Sequence, residues 1–179
     1  YSLAINADHP VTHVNYGNLY LNQGALQKAE AAYKEAIVIE PGLVTAYINL
    51  ADLYRRQNRY SEGETLLKSA LEKYPELAPI HYALGLLNIR LNKQEEAMTY
   101  LQKASNLAPE VSQYSYVYAI GLNSSGKADM ALKTLTSALE LHPYDRNILY
   151  SLTTINIERN NISAAKGYVE MLVNNYPEN

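Results

Sequence analysis

The chain of 179 residues contains no cysteine, no tryptophan and no phenylalanine. Without cysteine it forms no disulfide, offers no thiol nucleophile and attaches no haem within these residues. That absence does not identify a compartment, and cytoplasmic and bacterial periplasmic locations both stay open. Excess charge is scarce too. The formal net charge is −3, which argues against a general nucleic-acid surface. No apolar run is long enough to span a membrane and no secretory leader is visible, so neither nucleic acid nor membrane is an expected partner of these residues. HExxH, a Ser-His-Asp order and a paired-carboxylate pocket are all missing. The expectation is a non-enzyme with no catalytic residue, metal or cofactor.

What the chain does have is a period. Pro41, Pro75, Pro109, Pro143 and Pro177 stand 34 residues apart, and a fixed period in this range is the signature of a repeat architecture. A frame starting at Pro10 divides the chain into units 10–43, 44–77, 78–111, 112–145 and 146–179 without insertion or deletion. Residues 1–9 fit the end of a preceding repeat, with Leu3 and Ile5 in the slots of Ile37 and Ile39. The expectation is one array, read as a piece of a longer protein.

Each frame position has a physical job. Position 20 carries Ala29, Gly63, Ala97, Ala131 and Ala165, and position 27 carries Ala36, Ala70, Ala104, Ala138 and Leu172. Small residues there let two helices approach closely. Large apolar residues accompany them, Leu50 and Leu84 at position 7 and Leu101 at position 24. Position 15 reads Gly24, Asn58, Asn92, Gly126 and Asn160, the residue types that enter the left-handed region cheaply at a helix end. The prolines at position 32 stop a second helix. Each unit therefore reads as helix A (frame 1–14), a tight turn, helix B (frame 17–30) and a proline turn. No segment reads as a strand, so the fold class is all-α.

Most of the seventeen tyrosines have structural slots in this frame. Tyr16, Tyr20, Tyr33, Tyr47, Tyr54 and Tyr118 fall on core positions. His13 and His81 share position 4 and read as structural, since they are two repeats apart. The run Gly121-Leu-Asn-Ser-Ser-Gly126-Lys127-Ala128 nearly spells a phosphate-binding loop. It lacks the final hydroxyl, and a helix precedes it where a strand is required.

Tyr47-Leu50-Ala51-Tyr54, the looser His13-Tyr16-Gly17-Tyr20, and Ala29, Tyr33, Ala36 and Pro41 together resemble the tetratricopeptide repeat (TPR). The resemblance runs over residues 10–179. It departs at Asn88 and Asn156, where the family has a large residue, and at Thr153 and Gly63. It implies an α–α superhelix, a right-handed solenoid of five helix-turn-helix units. It also implies a protein–protein interaction module that binds a peptide or protein segment in a concave groove lined by helix A. The wall would be frame positions 2, 5, 6, 9, 12 and 13. Its candidate peptide-binding residues are Asn15, Asn18, Asn49, Asp52, Arg56, Tyr82, Arg90, Tyr116 and Tyr150. Asn amides can clamp a peptide backbone. Tyr82, Tyr116 and Tyr150 share position 5 and form either a ligand-facing ladder or inter-repeat packing. Arg56 and Arg90, with Arg55, Arg59, Lys93 and Lys127, would make a basic stripe for an acidic segment of the partner or simply a solvated edge. The carboxylate clamp that some TPR proteins use for chaperone tails is broken, because Val14, Pro79 and Ala83 stand where bases are required.

An alternative reading comes from Tyr114-Ser-Tyr-Val-Tyr-Ala-Ile and His142-Pro143-Tyr144-Asp145-Arg146. These also resemble TPR modules at the C-terminus of bacterial multihaem cytochrome-like proteins. That would make the chain an accessory domain of a larger enzyme or redox protein, periplasmic, with its haems elsewhere.

Overall fold

The computed structural model describes residues 9–177. Among them are ten α-helices and no strand. Helices α1 (Pro10–Asn22), α3 (Val44–Arg56), α5 (Ala78–Arg90), α7 (Ser112–Ser124) and α9 (Arg146–Glu158) begin one period apart. So do α2 (Leu26–Ile39), α4 (Tyr60–Lys73), α6 (Gln94–Leu107), α8 (Ala128–Leu141) and α10 (Ile162–Asn175). The odd-numbered helices are the expected helix A and the even-numbered ones helix B. Leu3 and Ile5, read as the end of an earlier repeat, lie outside the described residues.

The turn chemistry explains this regularity. All five residues at frame position 15 have positive φ: 72° at Gly24, 59° at Asn58, 58° at Asn92, 76° at Gly126 and 59° at Asn160. The following amide reaches back to close the helix, as in Arg59 N–H to Tyr54 O at 2.8 Å and Lys127 N–H to Leu122 O at 2.9 Å. The position-15 amide donates in parallel, as in Asn58 N–H to Arg55 O at 3.1 Å. This pair of bonds is the Schellman motif. Helix B ends just before the residue that precedes each proline. Pro79 sits in the first turn of α5, where its missing N–H leaves nothing unsatisfied.

The chain divides into two compact units, Tyr1–Ala97 and Met98–Asn179. In the first, α1 packs on α2, α3 on α4, and neighbouring hairpins join through α2 with α3 and α4 with α5. Its core includes Ala29, Tyr33, Ala36, Leu50, Leu53 and Tyr54. Burying a side chain of Leu size contributes about 1.5–3 kcal/mol. Tyr33 occupies a slot that Leu fills in the next three repeats, and Gly17 makes the room. A Cβ on Gly17 would lie 2.3 Å from the Tyr33 ring. Tyr16 departs from the core role expected of it. It is exposed and stacks on Tyr20, with ring centroids 6.4 Å apart. Leu50, one period on, is buried against α2, whereas no described helix precedes α1.

In the second unit α7 packs on α8, α9 on α10, and α8 on α9. Leu101, Leu135, Ile148, Leu149 and Leu152 are fully buried. Asp145 caps α9 by accepting from Asn147 N–H at 2.9 Å and Ile148 N–H at 3.1 Å, a cap worth about 1 kcal/mol.

Candidate binding surface

In the first unit the polar candidates lie on α1 and α3, which contact one another. Asn18 Oδ1 accepts from Tyr33 Oη at 2.7 Å and from Asn49 Nδ2 at 3.0 Å. This ties frame position 9 of one repeat to position 6 of the next and fixes the Asn18 amide. Asn15 is exposed beside it. Asp52 is held on two sides. Arg55 donates to Oδ1 from Nε at 2.8 Å and from Nη2 at 2.6 Å, and Arg56 Nε donates to Oδ2 at 2.8 Å. Burial would raise the Asp52 carboxyl, but the hydrogen bonds from Arg56 and Arg55 leave it below its ordinary value. Asp52 and Arg56 are thus partners of each other.

The face changes character on α5. Tyr82 is half-buried, and Leu86 and Ile89 are exposed. Steps of four and three residues put them on one helical stripe. Arg90 follows, exposed and without an ion-pair partner among the described residues.

Arg59 and Lys93, expected to belong to the basic stripe, are instead engaged between repeats. Arg59 Nη1 meets Glu30 Oε2 at 2.6 Å and its Nη2 meets Glu62 Oε1 at 2.6 Å. The guanidinium lies 4.2 Å from the Tyr54 ring centroid, and Tyr54 Oη donates to Glu30 at 3.1 Å. The Arg59 hydrogen bond, helped by Lys34 and Tyr54, holds the Glu30 carboxyl at about 2. One period on, Glu64 takes Lys68 at 2.7 Å and Lys93 at 2.8 Å. Hydrogen bonds from Lys68 and then Lys93 lower its pKa as well.

In the second unit the candidates are Tyr116 on α7 and Tyr150 on α9, two helices in contact. Tyr116 is half-buried and Tyr150 is 65% exposed. Their rings do not touch one another. Ile120 on α7 and Ile157 on α9, the latter 54% exposed, extend the apolar surface. The opposite face of α9 is already complete, with Ile148, Leu149, Leu152 and Ile155 buried. Tyr150 and Ile157 are therefore surplus to the core.

Leu86, Ile89, Ile120 and Ile157 were missed as candidates in the sequence. Their signal was present, since they occupy frame positions 9 and 12 of the expected wall. Other motifs resolve into structure. His81 is buried with Nε2 2.8 Å from the Pro75 carbonyl oxygen. Gly126 caps α7, so a helix precedes the near-match to a phosphate loop. Among the described residues no group of three or more His, Asp or Glu side chains is placed to hold a metal ion. No described helix is long and apolar enough to cross a membrane.

Helix hairpins recurring every 34 residues define a helical-repeat protein. The tetratricopeptide repeat family matches residues 20–76 and 56–120, together more than half of the chain, and the chain belongs to that family. Solved structures of similar fold include YrrB, described as a TPR protein with an unusual peptide-binding site. It shares 22% identity over 97% of this chain and 89% of its own, with a TM-score of 0.68. MamA shares 18% identity over 94% of this chain and 92% of its own, with a TM-score of 0.74. PilF of Pseudomonas aeruginosa shares 19% over 95% and 78%, with a TM-score of 0.76. At these identities the likeness is one of fold. No curated protein matches the chain significantly. Membership makes the chain a protein–protein interaction module in the general sense of its family. Neither the family nor these structures supports the multihaem alternative.

Proposed function

We propose that the chain holds a peptide or protein segment on the exposed faces of its helix-A elements and acts by recognition, without chemistry of its own. The observation that carries this is α9, where Tyr150 and Ile157 stay exposed although the core beneath is filled. Large apolar side chains left in water on one stripe favour a partner that covers them, and Tyr is enriched where binding energy concentrates. Tyr116 and Ile120 would widen that surface on α7. In the first unit Leu86 and Ile89 would receive an apolar side chain, and Arg90 an acidic residue next to it. Asn15, Asn18 and Asn49 would bond the partner's backbone, while Asp52 and Arg56 would frame them as a fixed polar edge. A protein of similar fold is described as having a peptide-binding site, which fits this reading.

The test uses the partner recovered from native extract with the whole chain as bait. Tyr116→Ala and Tyr150→Ala should each weaken binding by about tenfold and lower the melting temperature little. Unchanged affinity with a large fall in melting temperature would assign these tyrosines to packing instead.

A further inference from the structure

One pair of frame positions loses its bulk at a single place. Position 28 carries Ile37, Leu71, Leu139 and Val173 in four repeats but Ser105 in the third. Position 4 carries His13, Tyr47, His81 and Leu149, but Ser115 in the repeat that follows Ser105. These two serines touch. Their hydroxyls are 2.8 Å apart and the residues are 8% and 5% exposed. Where the other repeats have large side chains, the second unit has an open groove of about 650 Å³ between α6, α7 and α8. Helical interfaces normally keep few voids larger than a water molecule, and an unfilled one destabilises.

The lining has a definite chemistry. The floor is the Ser105–Ser115 hydroxyl pair, with Tyr118 buried beside it. Met130 and Leu141 stand exposed at the lip. Lys133 is the only charged side chain in the lining, and it has no ion-pair partner among the described residues. We infer that this groove is a ligand site, separate from the helix-A surface, for a compact apolar body that carries one carboxylate. The body enters over the serine floor against Tyr118, one of its polar atoms can bond the hydroxyls, and the carboxylate meets Lys133. Such a group belongs to a small organic acid or to the C-terminal residue of a polypeptide.

Two probes distinguish those sources: 3-phenylpropionate, and the tripeptide Gly-Gly-Phe with a free or an amidated C-terminus. Both are titrated into the whole chain and followed by amide chemical shifts. At least one free acid should produce saturable shifts at Ser105, Ser115 and Lys133, with a Kd of about a millimolar or tighter. Binding of 3-phenylpropionate alone identifies a small acid, and binding of the tripeptide alone identifies a chain terminus. Lys133→Gln should weaken the bound acid by about tenfold, as losing a charge-assisted contact does, without moving the melting temperature. Refilling the groove with Ser105→Leu and Ser115→Tyr, the residues of the second repeat, should abolish binding and raise the melting temperature. The inference is overturned if neither probe gives saturable shifts. It is also overturned if the amidated tripeptide binds as well as the free acid, or if Lys133→Gln has no effect.

Discussion

The two units solve the same joining problem differently. In the first, an acid at frame position 21 reaches a base at position 16 of the next repeat, in Glu30–Arg59 and again in Glu64–Lys93. In the second, position 21 is Met98 and then Leu132. Met98 lies over Gly121, where a Cβ would sit 2.6 Å from its sulfur, and the earlier repeats carry Leu53 and Leu87 at the Gly121 slot. At position 21 an ionic clamp has been exchanged for a thioether over a glycine. The second unit's remaining joins include an exposed ion pair, Arg159 Nη2 to Asp129 Oδ1 at 2.7 Å, and hydrogen bonds of hydroxyl and imidazole groups. Ser112 Oγ donates to Asp145 at 2.6 Å, His142 Nε2 lies 3.0 Å from the Pro109 oxygen, and Tyr176 Oη donates to the Tyr144 carbonyl. Apolar burial is common to both units, and the polar joins around it differ.

If packing is the common element, matching core deletions should cost alike. Leu67→Ala in the first unit and Leu101→Ala in the second should each destabilise by about 2–5 kcal/mol in urea unfolding. A loss below about 0.5 kcal/mol at either would mean that the wrong face of helix B had been assigned inward.

Acid should separate the units. Glu30 is held at about 2 against an ordinary 4.5, and Glu64 is lowered in the same direction. A depressed carboxyl contributes stability that is complete above its unfolded value and lost as pH falls towards its folded one. Between about pH 4.5 and pH 2 amide exchange should therefore accelerate first across α2–α4 and later across α7–α10. Simultaneous acceleration would deny the clamps any role.

A smaller contrast concerns two asparagines in one frame slot. Asn156 donates to Leu152 O at 2.7 Å and accepts from Asn161 at 3.0 Å. Asn88 donates to Leu84 O at 2.8 Å, but its buried Oδ1 has no partner. An orphaned buried acceptor costs about 1–3 kcal/mol. Asn88→Leu, the residue found at position 122 one repeat on, should stabilise by about 1 kcal/mol, and Asn156→Leu should destabilise by a similar amount. Equal signs in thermal melts would refute the distinction. The smallest effect is expected from Met98→Glu, which offers Lys127 the clamp of the first unit. Stability should change by less than about 1 kcal/mol, and the second unit should acquire acid sensitivity in the same pH window.

The frame was legible because each of its rules is local. A left-handed residue at position 15 and a proline at position 32 end helices without help from distant residues, and every helix boundary follows them. The ionic clamps were not legible. Glu30 and Arg59 are 29 residues apart and recur as a pair only once, so their alignment looked like a basic edge. The Met98–Gly121 exchange was hidden for a related reason, since each residue departs from its own column and only contact links them. On the candidate surface, Asn15 and Asn49 were legible as one residue type repeated in a column, as were Tyr82, Tyr116 and Tyr150 in another. Leu86, Ile89, Ile120 and Ile157 stand in columns of the expected wall too, but apolar residues in a helix read as core until burial is known. Asp52 and Arg56 were legible as residues but not as partners of one another.

The proposed helix-A surface is tested most directly by photocrosslinking in native extract. Benzoylphenylalanine replaces Tyr150 on α9, Ile120 on α7 or Thr136, an exposed residue on helix B. The account predicts one shared crosslinked protein at Tyr150 and Ile120 and none at Thr136. Crosslinks at Thr136, with nothing captured from α7 or α9, would contradict it.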